Sequence, residues 1–264
     1  GFTEVYNYSF VSEAQAAQLG LPVADHIKVL NPIAAGQEFL RTSLLPNILR
    51  NIEGNRRNFE QFRLFEIGRE IHKRPASLPE EIPCCAVVLY SREGDGKAGL
   101  FELKRVAGVL MPGAEAQPAE AKDYEHPHRA ATIHWQGVEI GRLFEFHPSV
   151  VETGRAQVLY LDLTKMLAAE PGVRKYTPLR RFPTSDFDIT VTTEPRGRAA
   201  DVMSRIRAVE VPNLIDVAYL YEYADAAKAV KSLTFRFTLG APDRTLTSDE
   251  ITAAQDKLRA ALAG

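Results

Sequence analysis

Three runs in the last third of the chain alternate apolar and polar residues with a period of two. They are "FDITVTT" at 187–193, "LIDVAYLY" at 214–221 and "KSLTFRFTL" at 231–239. That period is the signature of a strand with one covered face and one open face. Two runs with helical spacing, 199–208 and 248–263, follow the first strand and the third. Thr247 or Ser248 can cap the second of these helices, with Glu250 or Ile251 in its first turn.

Strand, helix, strand, strand, helix over residues 174–264 is the order of a ferredoxin-like α/β sandwich, with room for a fourth short strand. Alternation assigns Phe187, Ile189, Val191, Ile215, Val217, Leu233, Phe235 and Phe237 to the side under the helices. The open side then carries Asp188, Thr190, Thr192, Asp216, Ser232, Thr234 and Arg236. Such a face can hydrogen-bond the edges of nucleic-acid bases, and it is equally what a solvated sheet face looks like.

Residues 1–173 read as a different unit. "TEVYNYSFV" alternates like a strand, and "SEAQAAQLG" follows as a short helix with Ser12 as N-cap, Gln15 closing a capping box and Gly20 as stop. "HIKVLNP" is a strand broken by Pro32. From Ser43 the chain is helical, with Leu44, Leu45, Ile48, Leu49 and Ile52 as one stripe and Pro46 tolerated in the first turn. "FRLFEIGREIH" is a strand in which Gly68 marks a bulge or a close approach. Residues 74–83 carry three prolines and read as a loop. "CCAVVLYS" is apolar throughout, as in a strand covered on both faces. A helix from "GLFELKRVAGVLM" and strands from "HRAATIHW", "VEIGRLFEF" and "QVLYLDLT" complete an α+β module with a largely antiparallel sheet. The boundary between the units is placed near residue 173.

Charge and cysteine usage narrow the function. The chain has a net charge of −2, so no global basic footprint for nucleic acid exists. The charge is nevertheless uneven, +2 from Arg174 onward and −4 before it. Cys84 and Cys85 are adjacent, which suits neither a disulfide nor a tetrahedral metal site, and a cytoplasmic location is expected. No apolar run approaches the roughly 18 residues of a membrane span. The chain opens on Gly1 like the middle of a fold, which suggests an excised fragment.

Catalytic motifs are missing. Neither a glycine-rich phosphate loop nor a GxSxG elbow occurs. His126, His128 and His134 lack metal-ligand spacing, and His147 before Pro148 reads as a turn histidine. In class II aminoacyl-tRNA synthetases an arginine on a strand after a long helix clamps ATP phosphates, so Arg63 or Arg69 is a candidate for that position. The glycine-rich segment that ends in a second arginine has no counterpart, since the helix at 164–169 offers only Lys165. No catalytic and no metal-binding residue is therefore assigned.

The segments "LNPIAAGQEFLRTSLLPNILRNIEGNRRN", "LFEIGREI", "HPHRAATIHWQGVEIGRLFEFHPSV", "KYTPLRRFP", "KSLTFRFT" and "PDRTLTSDEI", in this order, resemble the C-terminal half of the bacterial phenylalanyl-tRNA synthetase β subunit. The resemblance spans essentially the whole chain. It implies that residues 1–173 form an inactive class II synthetase-fold module and residues 174–264 a ferredoxin-fold anticodon-binding domain. Expected partners are the catalytic α subunit, in an (αβ)2 heterotetramer, and tRNA-Phe, with no membrane. ATP and Mg2+ belong at the α subunit, with no cofactor in this chain. The helix at 43–55 falls where the family builds an inter-subunit bundle, so its stripe is either divided between core and interface or core alone. The tRNA-binding, editing and helical domains of such subunits would lie before Gly1.

The resemblance also assigns Asp216 and Ser232 to the anticodon, and the open face adds Arg236 and Asp188 to the candidate RNA-binding set. Two departures stand out. The family tyrosine that stacks on a base falls on Ala218, and alternation turns Tyr219 and Tyr221 toward the helices. A pair of arginines before the first strand is replaced by Asp186 and Phe187. The segment 219–230 is also longer than a tight hairpin needs. These departures motivate an alternative, a divergent RNA-binding or scaffold protein of the same fold without anticodon recognition. A free-standing class II-like ligase is a third reading, disfavoured by the missing arginine.

Overall fold

Every residue from Cys84 to Tyr90 is buried, and alternate side chains belong to two different cores. This strand is thus the middle of a three-layer arrangement, as its unbroken apolar run predicts. The computed structural model describes residues 1–169, 176, 179–225 and 229–263. Contacts divide the chain into two units, Gly1–Val173 and Arg174–Gly264. The expected boundary at residue 173 lies outside the described residues.

The first unit runs β1 (Thr3–Glu4), β2 (Phe10–Val11), α1 (Glu13–Gln18), a 3-10 turn (Val23–Asp25), β3 (Ile27–Lys28), β4 (Phe39–Leu40), α2 (Leu45–Asn55), β5 (Gln61–His72) and β6 (Glu80–Ser91). It continues with α3 (Lys97–Leu110), β7 (Glu115–Pro118), β8 (Glu125–Trp135), β9 (Val138–Phe146), β10 (Arg155–Asp162) and α4 (Leu163–Ala168). Seven strands form one sheet in the order β1-β5-β6-β10-β9-β8-β7, antiparallel except where β1 joins β5. Strands β2, β4 and β3 make a small separate sheet.

One face of the large sheet is covered by α2. Leu44, Leu45, Ile48, Leu49 and Ile52 pack there against Cys84, Ala86, Val88 and Tyr90. The other face is covered by α3 and α4, with Leu103, Ala107 and Met111 over Cys85, Val87 and Leu89. All five stripe residues of α2 are at most 3% exposed within the unit, so the stripe is core and offers no divided interface. Each such side chain contributes about 1.5–3 kcal/mol through burial.

The N-terminal run departs from the expected single strand. The Val5 N–H still donates to the Phe65 carbonyl at 2.9 Å, but residues 6–9 leave the large sheet, and polar groups among them are used elsewhere. The Asn7 amide donates to Glu66 Oε2 at 2.8 Å, and the Tyr8 carbonyl accepts from Asn47 at 2.7 Å. Likewise "HIKVLNP" keeps only Ile27 and Lys28 as strand. The proline-rich loop is shorter than expected, since pairing resumes at Glu80, opposite His72. Salt bridges from Arg74 to Glu80 at 2.5 Å and from Arg69 to Glu81 at 2.6 Å close that hairpin. The capping box of α1, Ser12 with Gln15, forms as expected.

Gly68 marks a close approach with no bulge. The pairing of β5 with β6 is unbroken, and a Cβ at Gly68 would lie 2.2 Å from Arg41 Nη2. Arg41 fills that gap with its guanidinium buried, donating to Glu66 Oε1 at 2.7 Å and to the Arg69 carbonyl at 3.0 Å.

The second unit contains β11 (Ser185–Thr193), α5 (Ala199–Arg207), β12 (Leu214–Asp225), β13 (Val230–Leu239) and α6 (Ser248–Leu262). Its sheet has the order β11-β13-β12, all antiparallel. No fourth strand joins it among the described residues. Val202 and Ile206 of α5 and Leu258 and Leu262 of α6 cover Ile189, Val191, Leu233, Phe235 and Phe237. Thr247 and Glu250 form the capping box of α6. Ile215 does not point under the helices as expected. It is the extra residue of an irregularity between Leu214 and Asp216, which puts Leu214 into the core in its place.

Candidate nucleic-acid interface

The strand registers assign the open face of the second unit to four rows, each crossing β11, β13 and β12. Asp186, Thr238 and Asp216 form the first row, and Asp188, Arg236 and Ala218 the second. Thr190, Thr234 and Tyr221 form the third, and Thr192, Ser232 and Tyr223 the fourth. The face alternates with the apolar side as the sequence pattern predicts, because β11 and β13 pair without interruption.

Strand β12 is the exception, with a second irregularity between Tyr219 and Tyr221. Tyr219 lies opposite Phe235, with ring centroids 5.5 Å apart, on the helix side. Leu220 is the extra residue, and Tyr221 then lies opposite Thr234 and Tyr223 opposite Ser232. An inserted residue reverses the parity of everything that follows it. Tyr221 therefore sits on the open face, 60% exposed, contrary to strict alternation. Tyr223, which alternation alone does not bring to this face, joins it at 66% exposure. The overlong segment after Tyr219 was the only signal in the sequence for this shift.

The four candidate residues are not one cluster. Asp188 and Arg236 are direct neighbours, the guanidinium donating through Nε to Oδ1 at 2.9 Å and through Nη2 to Oδ2 at 3.0 Å. That bidentate pairing lowers the Asp188 pKa and raises that of Arg236. Asp216 lies one row to one side and Ser232 two rows to the other, about 20 Å apart at ~3.3 Å per residue. They can reach different nucleotides of one strand, never the same base. At the centre the Thr190 and Thr234 hydroxyls are hydrogen-bonded at 3.0 Å.

Chemically the face suits bases better than phosphates. Asp186 and Asp216 are exposed carboxylates that accept from base amino groups, and Ser232 both donates and accepts. Arg236, the one guanidinium in the rows, is held by Asp188.

The first unit holds a cleft of about 830 Å³ between β5, β6 and the start of α3. Among the described residues Arg63 is the only arginine or lysine lining it, against the carboxyl side chains of Glu93, Asp95 and Glu102. Arg63 is tied to Glu102 at 3.5 Å and lies over the Phe2 ring at 5.7 Å. Arg69, the other candidate cation, is paired with Glu81 at the hairpin. An acidic cleft with its one guanidinium engaged does not fit a triphosphate. His147 sits in a turn with Ser149 Oγ 2.7 Å from its ring. Among the described residues, no group of three or more His, Cys, Asp or Glu is placed to hold a metal ion, and no helix is long and apolar enough to cross a membrane.

These features define a class of protein: a class II aminoacyl-tRNA synthetase-like sheet module whose cleft is acidic among the described residues, followed in the chain by a ferredoxin fold with an open polar face. The solved pyrrolysyl-tRNA synthetase of Desulfitobacterium hafniense shares the fold, with a TM-score of 0.51 at 17% identity over 63% of this chain and 62% of that one. Residues 1–158 match the family described as phenylalanyl tRNA synthetase beta chain CLM domain, and residues 180–264 match the ferredoxin-fold anticodon binding domain. The phenylalanine–tRNA ligase beta subunit of Solibacter usitatus is 48% identical over 260 residues, covering 98% of this chain and 34% of that protein. That of Anaeromyxobacter dehalogenans is 33% identical, covering 99% of this chain and 36% of that protein. The chain belongs to the phenylalanyl-tRNA synthetase β-chain family. It spans about a third of the length of these relatives.

Proposed function

We propose that this chain works as the C-terminal part of a phenylalanine–tRNA ligase β subunit in the cytoplasm. The first unit docks on the catalytic α subunit within an (αβ)2 heterotetramer, and the second contacts the anticodon of tRNA-Phe. Amino-acid activation, with ATP and Mg2+, takes place at the α subunit. The acidic cleft of the first unit supports this division of labour. Tyr6, Tyr8, Leu30 and Ile33, 74–94% exposed on loops beside the small sheet, are apolar groups of the kind a partner subunit covers.

The observation that carries the anticodon reading is the open face itself. Four rows of side chains, unobstructed by the unit's own helices, present exposed carboxylates, hydroxyls and a paired arginine at the spacing of several nucleotides. Asp216 and Ser232 accept and donate to base edges, and the Asp188 and Arg236 pair lies between them. The test is aminoacylation by the assembled enzyme carrying Asp216→Ala or Ser232→Ala. KM for tRNA-Phe should rise several-fold while ATP–pyrophosphate exchange is unchanged. Unchanged KM in both variants would overturn the anticodon role and leave a scaffold of the same fold. Failure of the chain to co-purify with the α subunit would overturn the docking role, and the assembly mass tests the stoichiometry.

A further inference from the structure

The anticodon reading leaves its second row without an aromatic group, since Ala218 stands beside Arg236. The bulge at Leu220 delivers Tyr221 to the next row, diagonal to Arg236 and opposite Thr234. Tyr223 follows one row beyond, opposite Ser232. Without the bulge, Tyr219, Tyr221 and Tyr223 would share one face, and that face is the helix side, where Tyr219 remains over Phe235.

Two exposed tyrosines at successive positions of an open sheet, with a guanidinium beside the first, form the sort of platform on which unpaired bases stack. Core packing does not account for them. Neither belongs to the apolar clusters of the unit, and both are more than half exposed. A sheet bulge also costs a ladder hydrogen bond, and here its structural effect is to turn these two rings outward.

We propose that Tyr221 is the stacking residue for an unpaired base of the RNA loop, that Tyr223 extends the platform to the neighbouring base, and that the bulge at Leu220 places them. The proposal rests on the anticodon reading. It displaces the stacked base by one row, about 7 Å along β12, from the position of Ala218. The ligand class is a single-stranded nucleotide whose base plane lies on the ring and whose edge reaches Arg236 or Ser232.

The experiment is steady-state aminoacylation by the assembled (α plus β) enzyme with tRNA-Phe, comparing Tyr221→Ala, Tyr221→Phe, Tyr223→Ala, Tyr219→Ala and Asp216→Ala. Tyr221→Ala should raise KM for the tRNA roughly 5- to 150-fold, with ATP–pyrophosphate exchange unchanged. Tyr221→Phe, which keeps the ring, should stay within about twofold of the parent. Tyr223→Ala should show a rise of the same kind as Tyr221→Ala. Tyr219→Ala, on the opposite side, should lower the melting temperature without changing KM. If Tyr221→Ala leaves KM unaltered while Asp216→Ala raises it, the stacking proposal falls and the anticodon reading stands. If neither alters KM, both fall. Equal losses from Tyr221→Phe and Tyr221→Ala would show that the hydroxyl acts, and would overturn stacking as the mechanism.

Discussion

Arg236 and Asp188 face each other across β13 and β11 and share two hydrogen bonds, at 2.9 and 3.0 Å. The pair is half exposed, so its contribution to stability is small and screened by solvent. On the anticodon reading, the guanidinium that these rows present is already paired, which favours reading bases over holding phosphates.

Asp188→Asn removes that counter-charge while leaving a side chain of the same shape. Arg236 is then free to take a phosphate, and one more counterion is released on binding. The salt dependence of tRNA affinity should steepen by roughly 0.7 in the slope of log K against log salt. Filter binding or anisotropy at several salt concentrations checks this. An unchanged slope would mean that Arg236 stays away from the backbone of the RNA.

In the first unit, Arg41 and Glu66 form an ion pair with side chains only 3% and 2% exposed. Glu66→Ala leaves a guanidinium buried without its counter-charge, in the gap that the missing Cβ of Gly68 leaves open. The loss should be about 3–5 kcal/mol in urea unfolding. The double variant Arg41→Met, Glu66→Leu should recover most of it, because the cost lies in the orphaned charge. Equal destabilisation of single and double variants would rule this account out.

Cys84 and Cys85 should be inert. Burial raises both thiols, Cys85 to about 11 and Cys84 further, with Glu70 and Asp162 adding to the effect at Cys84. The thiolate is the reactive form, so at neutral pH neither should be alkylated by iodoacetamide while the chain is folded. Both should react in denaturant, as mass spectrometry would count. Rapid labelling of the native chain at either position would contradict the burial.

How much of this was legible in the sequence follows from what each element depends on. The α2 stripe, the capping box of α1, the N-cap of α6 and the buried run from Cys84 to Tyr90 were readable because spacing and local chemistry decide them. The open face was readable along β11 and β13, where alternation is unbroken. It was misread along β12, because the two irregularities there are set by pairing with β13 and leave no residue of special chemistry in the sequence. The departure of residues 6–9 from the sheet was hidden for the same reason. It depends on Asn7 and Asn47 finding Glu66 and the Tyr8 carbonyl, contacts spanning 59 and 39 positions.

Glu250 ties the start of α6 to the preceding loop, and its behaviour with pH has a definite sign. Its carboxylate accepts from Arg244 at 2.6 and 2.8 Å and from the Thr247 N–H at 2.9 Å. The Arg244 hydrogen bonds, with that of Thr247, hold its pKa down to about 2, against 4.5 for the free side chain. A group whose folded pKa is depressed stabilises the fold fully above its unfolded pKa and loses that contribution as pH falls through the folded one. Glu250→Gln keeps the capping-box geometry and removes the charge. The stability difference between parent and variant should therefore be constant at neutral pH, shrink below about pH 4.5 and vanish near pH 2. Because the pair is at the surface, the difference should also shrink in high salt. Denaturant unfolding of both chains across this range, at low and high salt, decides it. A difference that persists unchanged at pH 2 would show that shape, and not charge, is what Glu250 supplies at the helix start.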